Sequence, residues 1–220
     1  MTDIFAEVDE AIKQERLEKI WADYKFYIIG SIVSIVLLTA IMSGYNAWND
    51  SVKEKQTAEL SVLLDAPDFP ANVNLQNLSL SGDVRAIALM SAGAALLSEE
   101  EKDLEKVALF YSAVVEDENV SEYLRNLSSL MVGRILADAD NVAAQAVLKK
   151  LYDNENSLWR YHAALELAVL SAHQDVADYP KAQEYLNMVS EAVLVPAGLK
   201  ERARSLQHVY MIRQEQSEQK

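Results

Sequence analysis

Between Phe26 and Trp48 the chain runs for 23 residues without a charged side chain, FYIIGSIVSIVLLTAIMSGYNAW. No other stretch restricts the possible folds so much. At about 1.5 Å rise per residue it makes a helix of roughly 34 Å, enough to cross the roughly 30 Å hydrocarbon core of a bilayer with some tilt. Lipid offers nothing to satisfy backbone N–H and C=O groups, so a lone apolar segment there must be helical. The alternative is a buried core helix, but such helices usually keep a polar face and this run has none. Trp21, Tyr24 and Tyr27 at one end, with Tyr45 and Trp48 at the other, suit the headgroup zone, where amphipathic rings settle. The expectation is a transmembrane helix over residues 26–48, held by contact with membrane lipid.

The charged leader of 25 residues is long for a secretory signal, the apolar run exceeds a signal's apolar region and no A-x-A cleavage site follows, so the run reads as an uncleaved signal anchor. The leader carries Lys13, Arg16, Lys19 and Lys25, against Lys53 and Lys55 just beyond the run. That bias predicts a cytoplasmic N-terminus and puts the remainder across the membrane, because acidic residues count little in this rule. The apolar positions of residues 1–25 recur at helical spacing, so this leader is expected as an amphipathic helix at the membrane surface.

Charge and cysteine content remove whole classes of function. The net charge is −14, of which −11 follows Trp48. An acidic domain is a poor partner for nucleic acid, whose phosphates require a basic surface. With no cysteine there is no disulfide framework, thiol chemistry or thiolate metal site. Six glycines and four prolines in 220 residues favour helices joined by short turns.

After a juxtamembrane helix and loop (residues 49–82), broken at Pro67-Asp68-Phe69-Pro70, the pattern becomes repetitive. Residues 83–216 divide into three helix pairs and one closing helix, followed by a polar tail over 217–220. The second helices align on Ala108, Ala144 and Ala182, then Tyr111, Val147 and Tyr185, then Val115, Leu151 and Val189. These offsets lie near the 34-residue period of a tetratricopeptide repeat (TPR). A helix pair cannot bury its apolar stripe alone, so pairs stack and share a core. Gly93 and Gly133 offer close approach in the first helices. Ser121, Asn141, Ser157 and Asp178 suit N-caps, and Glu99–Glu101 reads as the first turn of a helix. The fold expected is all-α, a single N-terminal transmembrane helix followed by a TPR-like helical-hairpin solenoid.

No catalytic or cofactor motif emerges. The histidines His162, His173 and His208 lack a partner at metal-binding spacing, and there is no glycine-rich phosphate loop or G-x-S-x-G elbow. Surface recognition remains. The concave side of such a solenoid is lined mainly by first helices, whose polar and aromatic residues include Arg85, Arg125, Asn126, Arg134, Arg160 and Tyr161. Guanidinium groups on one face of an acidic domain would take carboxylates in two-pronged fashion, unless neighbouring Asp and Glu already occupy them.

DIFAEVDE at Asp3–Glu10 and LEKIWADYKFYIIG at Leu17–Gly30 are similar to the N-terminus of alphaproteobacterial tetratricopeptide-like membrane proteins related to YfgM, the ancillary subunit of the SecYEG translocon. SLWRYHAALELAVL at Ser157–Leu170 and VPAGLKERARSLQ at Val195–Gln207 resemble that family's third repeat and closing helix. The resemblance implies a single-pass protein of the bacterial inner membrane with a periplasmic repeat domain. It also implies association with SecYEG and with membrane-anchored periplasmic chaperones of the prolyl-isomerase type. The function expected is therefore a non-enzymatic adaptor, without cofactor; the alternative is a structural subunit of another inner-membrane complex, respiratory or envelope-building.

Overall fold

The computed structural model describes the backbone of residues 3–173 and 177–218, and side chains from residue 34 onward except at 174–176 and 218–220. The described residues form eight α-helices and no strand. They are α1 (Asp3–Leu64), α2 (Gly82–Ser98), α3 (Leu104–Glu116), α4 (Glu122–Leu136), α5 (Asn141–Asp153), α6 (Arg160–Ala172), α7 (Tyr179–Glu191) and α8 (Ala197–Glu218). The chain divides into two compact units, Met1–Lys55 and Gln56–Lys220.

Within the first unit, α1 exposes the large apolar side chains Ile35, Val36, Leu37, Leu38, Ile41, Met42, Tyr45 and Trp48. The Tyr45 and Trp48 rings lie 6.5 Å apart. Among the described residues no helix is long and apolar enough to cross a membrane. The side chains of 26–33, with which the expected span begins, lie outside the described residues, as do those of Trp21, Tyr24, Tyr27 and the whole leader.

In the second unit α1 ends at Leu64, ahead of Pro67 and Pro70, and the Phe69–Pro70 peptide is cis. The segment that follows is turn-rich, yet it packs as part of the body. Val73 and Leu80 are buried, and Phe69, Leu75 and Leu78 lie against the core beside Leu63. Ser79 donates to Glu59 at 2.9 Å and Gln56 to Ser81 at 2.7 Å, which ties this segment to the end of α1.

From α2 onward each helix packs on the next, and α2 meets α4, α4 meets α6 and α6 meets α8. The first helices of successive pairs thus form one layer, with the second helices α3, α5 and α7 on its other side. Each second helix is 13 residues long and opens on an aspartate that accepts an N–H from the third helical residue. Asp103 accepts from Lys106 at 2.9 Å, Asp140 from Ala143 at 3.0 Å and Asp178 from Lys181 at 3.0 Å. Such a cap satisfies one of the helix's orphan donors and is worth about 1 kcal/mol.

Counting from these aspartates fixes the repeat. Four residues on come Val107, Ala144 and Ala182; eight on, Tyr111, Leu148 and Leu186; eleven on, Val114, Leu151 and Val189; all nine are buried. The caps stand 37 and 38 residues apart. The alignment on Ala108, Ala144 and Ala182 is therefore one residue out in the first pair: Val107, not the half-buried Ala108, occupies the core position. The stretch VALFYSAVV is apolar in both frames, so periodicity alone did not choose between them.

The expected close approaches occur where the frame puts them. A Cβ on Gly93 would lie 2.8 Å from the Tyr111 ring, and one on Gly133 would lie 2.5 Å from Leu148. Tyr111 and Leu148 hold the same position in successive second helices.

Of the four expected N-caps, Asp178 and Ser121 stand where expected, and Asn141 and Ser157 need correction. Asn141 is the first residue of α5, with Asp140 as its cap. Ser121 stands at the N-cap of α4 without a side-chain bond to the helix, and its N–H donates instead to Asp83 at 2.7 Å. Ser157 accepts the N–H of Trp159 and lies three residues ahead of α6, whose N-cap is Trp159. Glu99–Glu101 also differ from expectation. Glu99 is the C-cap of α2, and α3 starts only at Leu104 under the Asp103 cap, so the acidic run closes one helix and does not open the next.

Candidate recognition surfaces on the paired helices

The arginines singled out from sequence separate into three environments, because α4 presents different faces to different neighbours. Arg85 is taken up locally, its Nη1 donating to Asp117 at 3.1 Å. The Asn119 N–H and then the Arg85 guanidinium hold the Asp117 carboxyl below the usual carboxylate range. Arg134 is also occupied. Its Nε and Nη2 both donate to Glu166 Oε1, at 2.9 and 2.7 Å, linking α4 to α6. Arg160 lies over two rings, 5.9 Å from the Tyr152 centroid and 5.7 Å from that of Tyr161. A guanidinium over an aromatic face gains about 0.5–1 kcal/mol when exposed.

Arg125 and Asn126 stand apart from these. Both line a cavity of about 390 Å³ with Glu122 and Ser129 of α4, Val115 of α3, and Val147, Lys150, Leu151 and Asn154 at α5 and its end. Residues 122, 125, 126 and 129 share one face of α4 by helical spacing. That face turns toward α3 and α5, so the expected grouping of Arg125, Asn126 and Arg134 on the first-helix side does not hold. Glu122 is engaged within the cavity, accepting from the Asn154 amide at 3.0 Å and the Asn126 amide at 3.4 Å. Arg125 Nε is buried without a hydrogen-bond partner. Among the described residues neither Arg125 nor Lys150 has an ion pair.

The layer of first helices carries a different chemistry. Between α2 and α4 lies an apolar cavity of about 360 Å³, lined by Ile87, Met90, Ser91, Ala94, Tyr111, Leu124, Leu127 and Met131. Tyr111 Oη donates to the Met90 carbonyl at 3.3 Å, and burial pushes its pKa up. Between α4 and α6, Tyr123, Trp159 and His162 form a ladder, with ring centroids 5.5 and 5.1 Å apart. Tilted rings at this separation attract through their quadrupoles. Burial, and next the Arg134 guanidinium, lower the His162 pKa from its ordinary value.

A third cavity, of about 520 Å³, lies between the end of α1 and the turn segment, lined by Val62, Leu63, Leu78, Leu80 and several asparagines. Among the described residues no group of three His, Asp or Glu side chains is placed to hold a metal ion.

Sequence reasoning found Arg125 and Asn126 but missed Lys150, Ser129 and Asn154, because it confined recognition to the first helices. The aromatic ladder was also missed. Its three members are scattered over residues 123 to 162, and only stacking of α4 on α6 unites them.

Compared with family profiles, with curated proteins and with solved structures, the chain gives no match.

Proposed function

We propose that the chain is a single-pass, membrane-anchored adaptor without catalytic activity, whose TPR-like solenoid binds protein partners on the far side of the membrane from its N-terminus. The observation that carries the reading is the apolar surface of α1. The large apolar side chains Ile35, Val36, Leu37, Leu38, Ile41, Met42, Tyr45 and Trp48 are each exposed to more than half their full extent. A contiguous apolar surface of this kind is costly in water and cost-free in lipid. Together with the uncharged residues 26–34 it completes a stretch of bilayer length.

The second unit supports the rest. Helix pairs of similar length, each second helix capped in the same way, stack through shared cores, which is the logic of a repeat protein. Such stacks offer extended surfaces, here one apolar and aromatic, the other polar. Among the described groups with a shifted pKa, Tyr111, His162, Tyr185 and Tyr210 are moved chiefly by burial. An anchor raises the local concentration of the domain at a membrane complex. By its resemblance to the YfgM-related proteins, that complex is the SecYEG translocon of the bacterial inner membrane, and the soluble partners are periplasmic prolyl-isomerase-type chaperones.

Three measurements test this. A reporter active only outside the cytoplasm, fused after Lys220, is expected to be active, and carbonate washing is expected to leave the chain in the membrane. Crosslinking in native membranes is expected to recover translocon subunits; stoichiometric recovery of another complex without them overturns the assignment.

A further inference from the structure

We propose that the cavity between α3, α4 and α5 receives a carboxylate side chain from an acidic, leucine-rich segment of a partner polypeptide. The proposal deepens the adaptor reading and rests on it for the ligand being a polypeptide. The second unit is strongly acidic, and three of its cations are paired with carboxylates: Arg85 with Asp117, Arg134 with Glu166 and Lys149 with Asp153. Arg125 and Lys150 are among the cations without an ion pair in the described residues, and these two line the same cavity.

The one carboxylate beside them, Glu122, is held by amide donors of Asn154 and Asn126. The local balance is therefore two cations against one engaged anion. Arg125 Nε is buried with no acceptor, and its guanidinium can present paired N–H donors to a carboxylate. Ser129, from the same wall, adds a hydroxyl donor.

The cavity of about 390 Å³ also carries the apolar walls Val115, Val147 and Leu151. A bare dicarboxylate would leave those walls in water, whereas an apolar neighbour in a peptide would cover them. The second unit is acidic overall, so an acidic segment is attracted only where cations outnumber carboxylates, as they do in the lining of this cavity.

The test uses the full chain in neutral phosphatidylcholine nanodiscs and a fluorescein-labelled peptide of alternating leucine and glutamate, read by anisotropy. The peptide is expected to bind, and its leucine–glutamine counterpart is not. Arg125→Gln and Lys150→Gln are each expected to weaken binding tenfold or more, while Lys149→Gln, which lies outside the cavity, leaves it unchanged. Circular dichroism of each variant checks that the helices persist.

Absence of peptide binding, or binding indifferent to both cavity substitutions, overturns the proposal. So does displacement by free succinate at the concentrations at which the unlabelled peptide competes, because the cavity would then be a small-molecule site. Membrane crosslinks unchanged in Arg125→Gln would remove this cavity from the contact and leave the adaptor reading standing; a chain with no protein crosslinks at all would remove that reading itself.

Discussion

His162 concentrates several forces on one side chain. Its ring lies against Trp159, and its Nδ1 is buried with no hydrogen-bond partner. Burial disfavours its charged form most; Arg134 and Arg202 add to the effect and Glu166 opposes it. With the folded pKa below the unfolded one, stability is fully present above about pH 6.5 and is lost as pH falls through the lowered folded value. His162→Phe keeps a ring against Trp159 and removes the titration. Its denaturation midpoint is expected to vary less than that of the parent as pH falls below about 6.5, measured by urea melts at stepped pH. Asp178→Ala tests a simpler contribution. Loss of the N-cap bond to Lys181 is expected to cost about 1 kcal/mol, read from the same melts.

At the scale of the helix, the tightest constraint is where α4 meets α5. Gly133 leaves no room for a methyl group beside Leu148. Gly133→Ala would favour the helix by up to about 1 kcal/mol through propensity, but forces Leu148 out of a fully buried site, and overpacking costs about 1–3 kcal/mol. The variant is expected to be less stable than the parent, and Gly133→Ala combined with Leu148→Ala to lose less than the two changes taken separately, a coupling that a double-mutant cycle measures.

This contact was legible in the sequence, since a glycine inside an apolar helix needs a packing reason. So were the three pairs, the closing helix and the break before Pro67. What stayed hidden was frame and partnership. Asp103 looked like one more acid after Glu99–Glu101, although it is the residue that sets the first repeat. Arg125 and Arg134 look alike in sequence, yet helical rotation sends one toward α5 and the other to Glu166 on α6.

Across the second unit, the buried residues divide into two clusters. One joins the turn segment, α2, α3 and part of α4; the other joins part of α4 with α5, α6, α7 and α8. Val132 belongs to the first and Leu130 to the second, so α4 takes part in both. In a stack held by neighbour contacts, damage spreads outward from where it is made. Leu186→Ala, at a fully buried site of α7, is expected to cost about 2–5 kcal/mol. Amide hydrogen exchange is expected to quicken in α6 to α8 while α2 and α3 keep most of their protection; uniform loss would mean that the two clusters melt as one. The aspartate caps carry a consequence for engineering. The single residue by which the repeats differ in length falls outside the second helices, which all keep 13 residues under the same cap. Length differences are thus absorbed in the first helices and the connections, so a spare module grafted in just ahead of one of those aspartates would inherit a working frame.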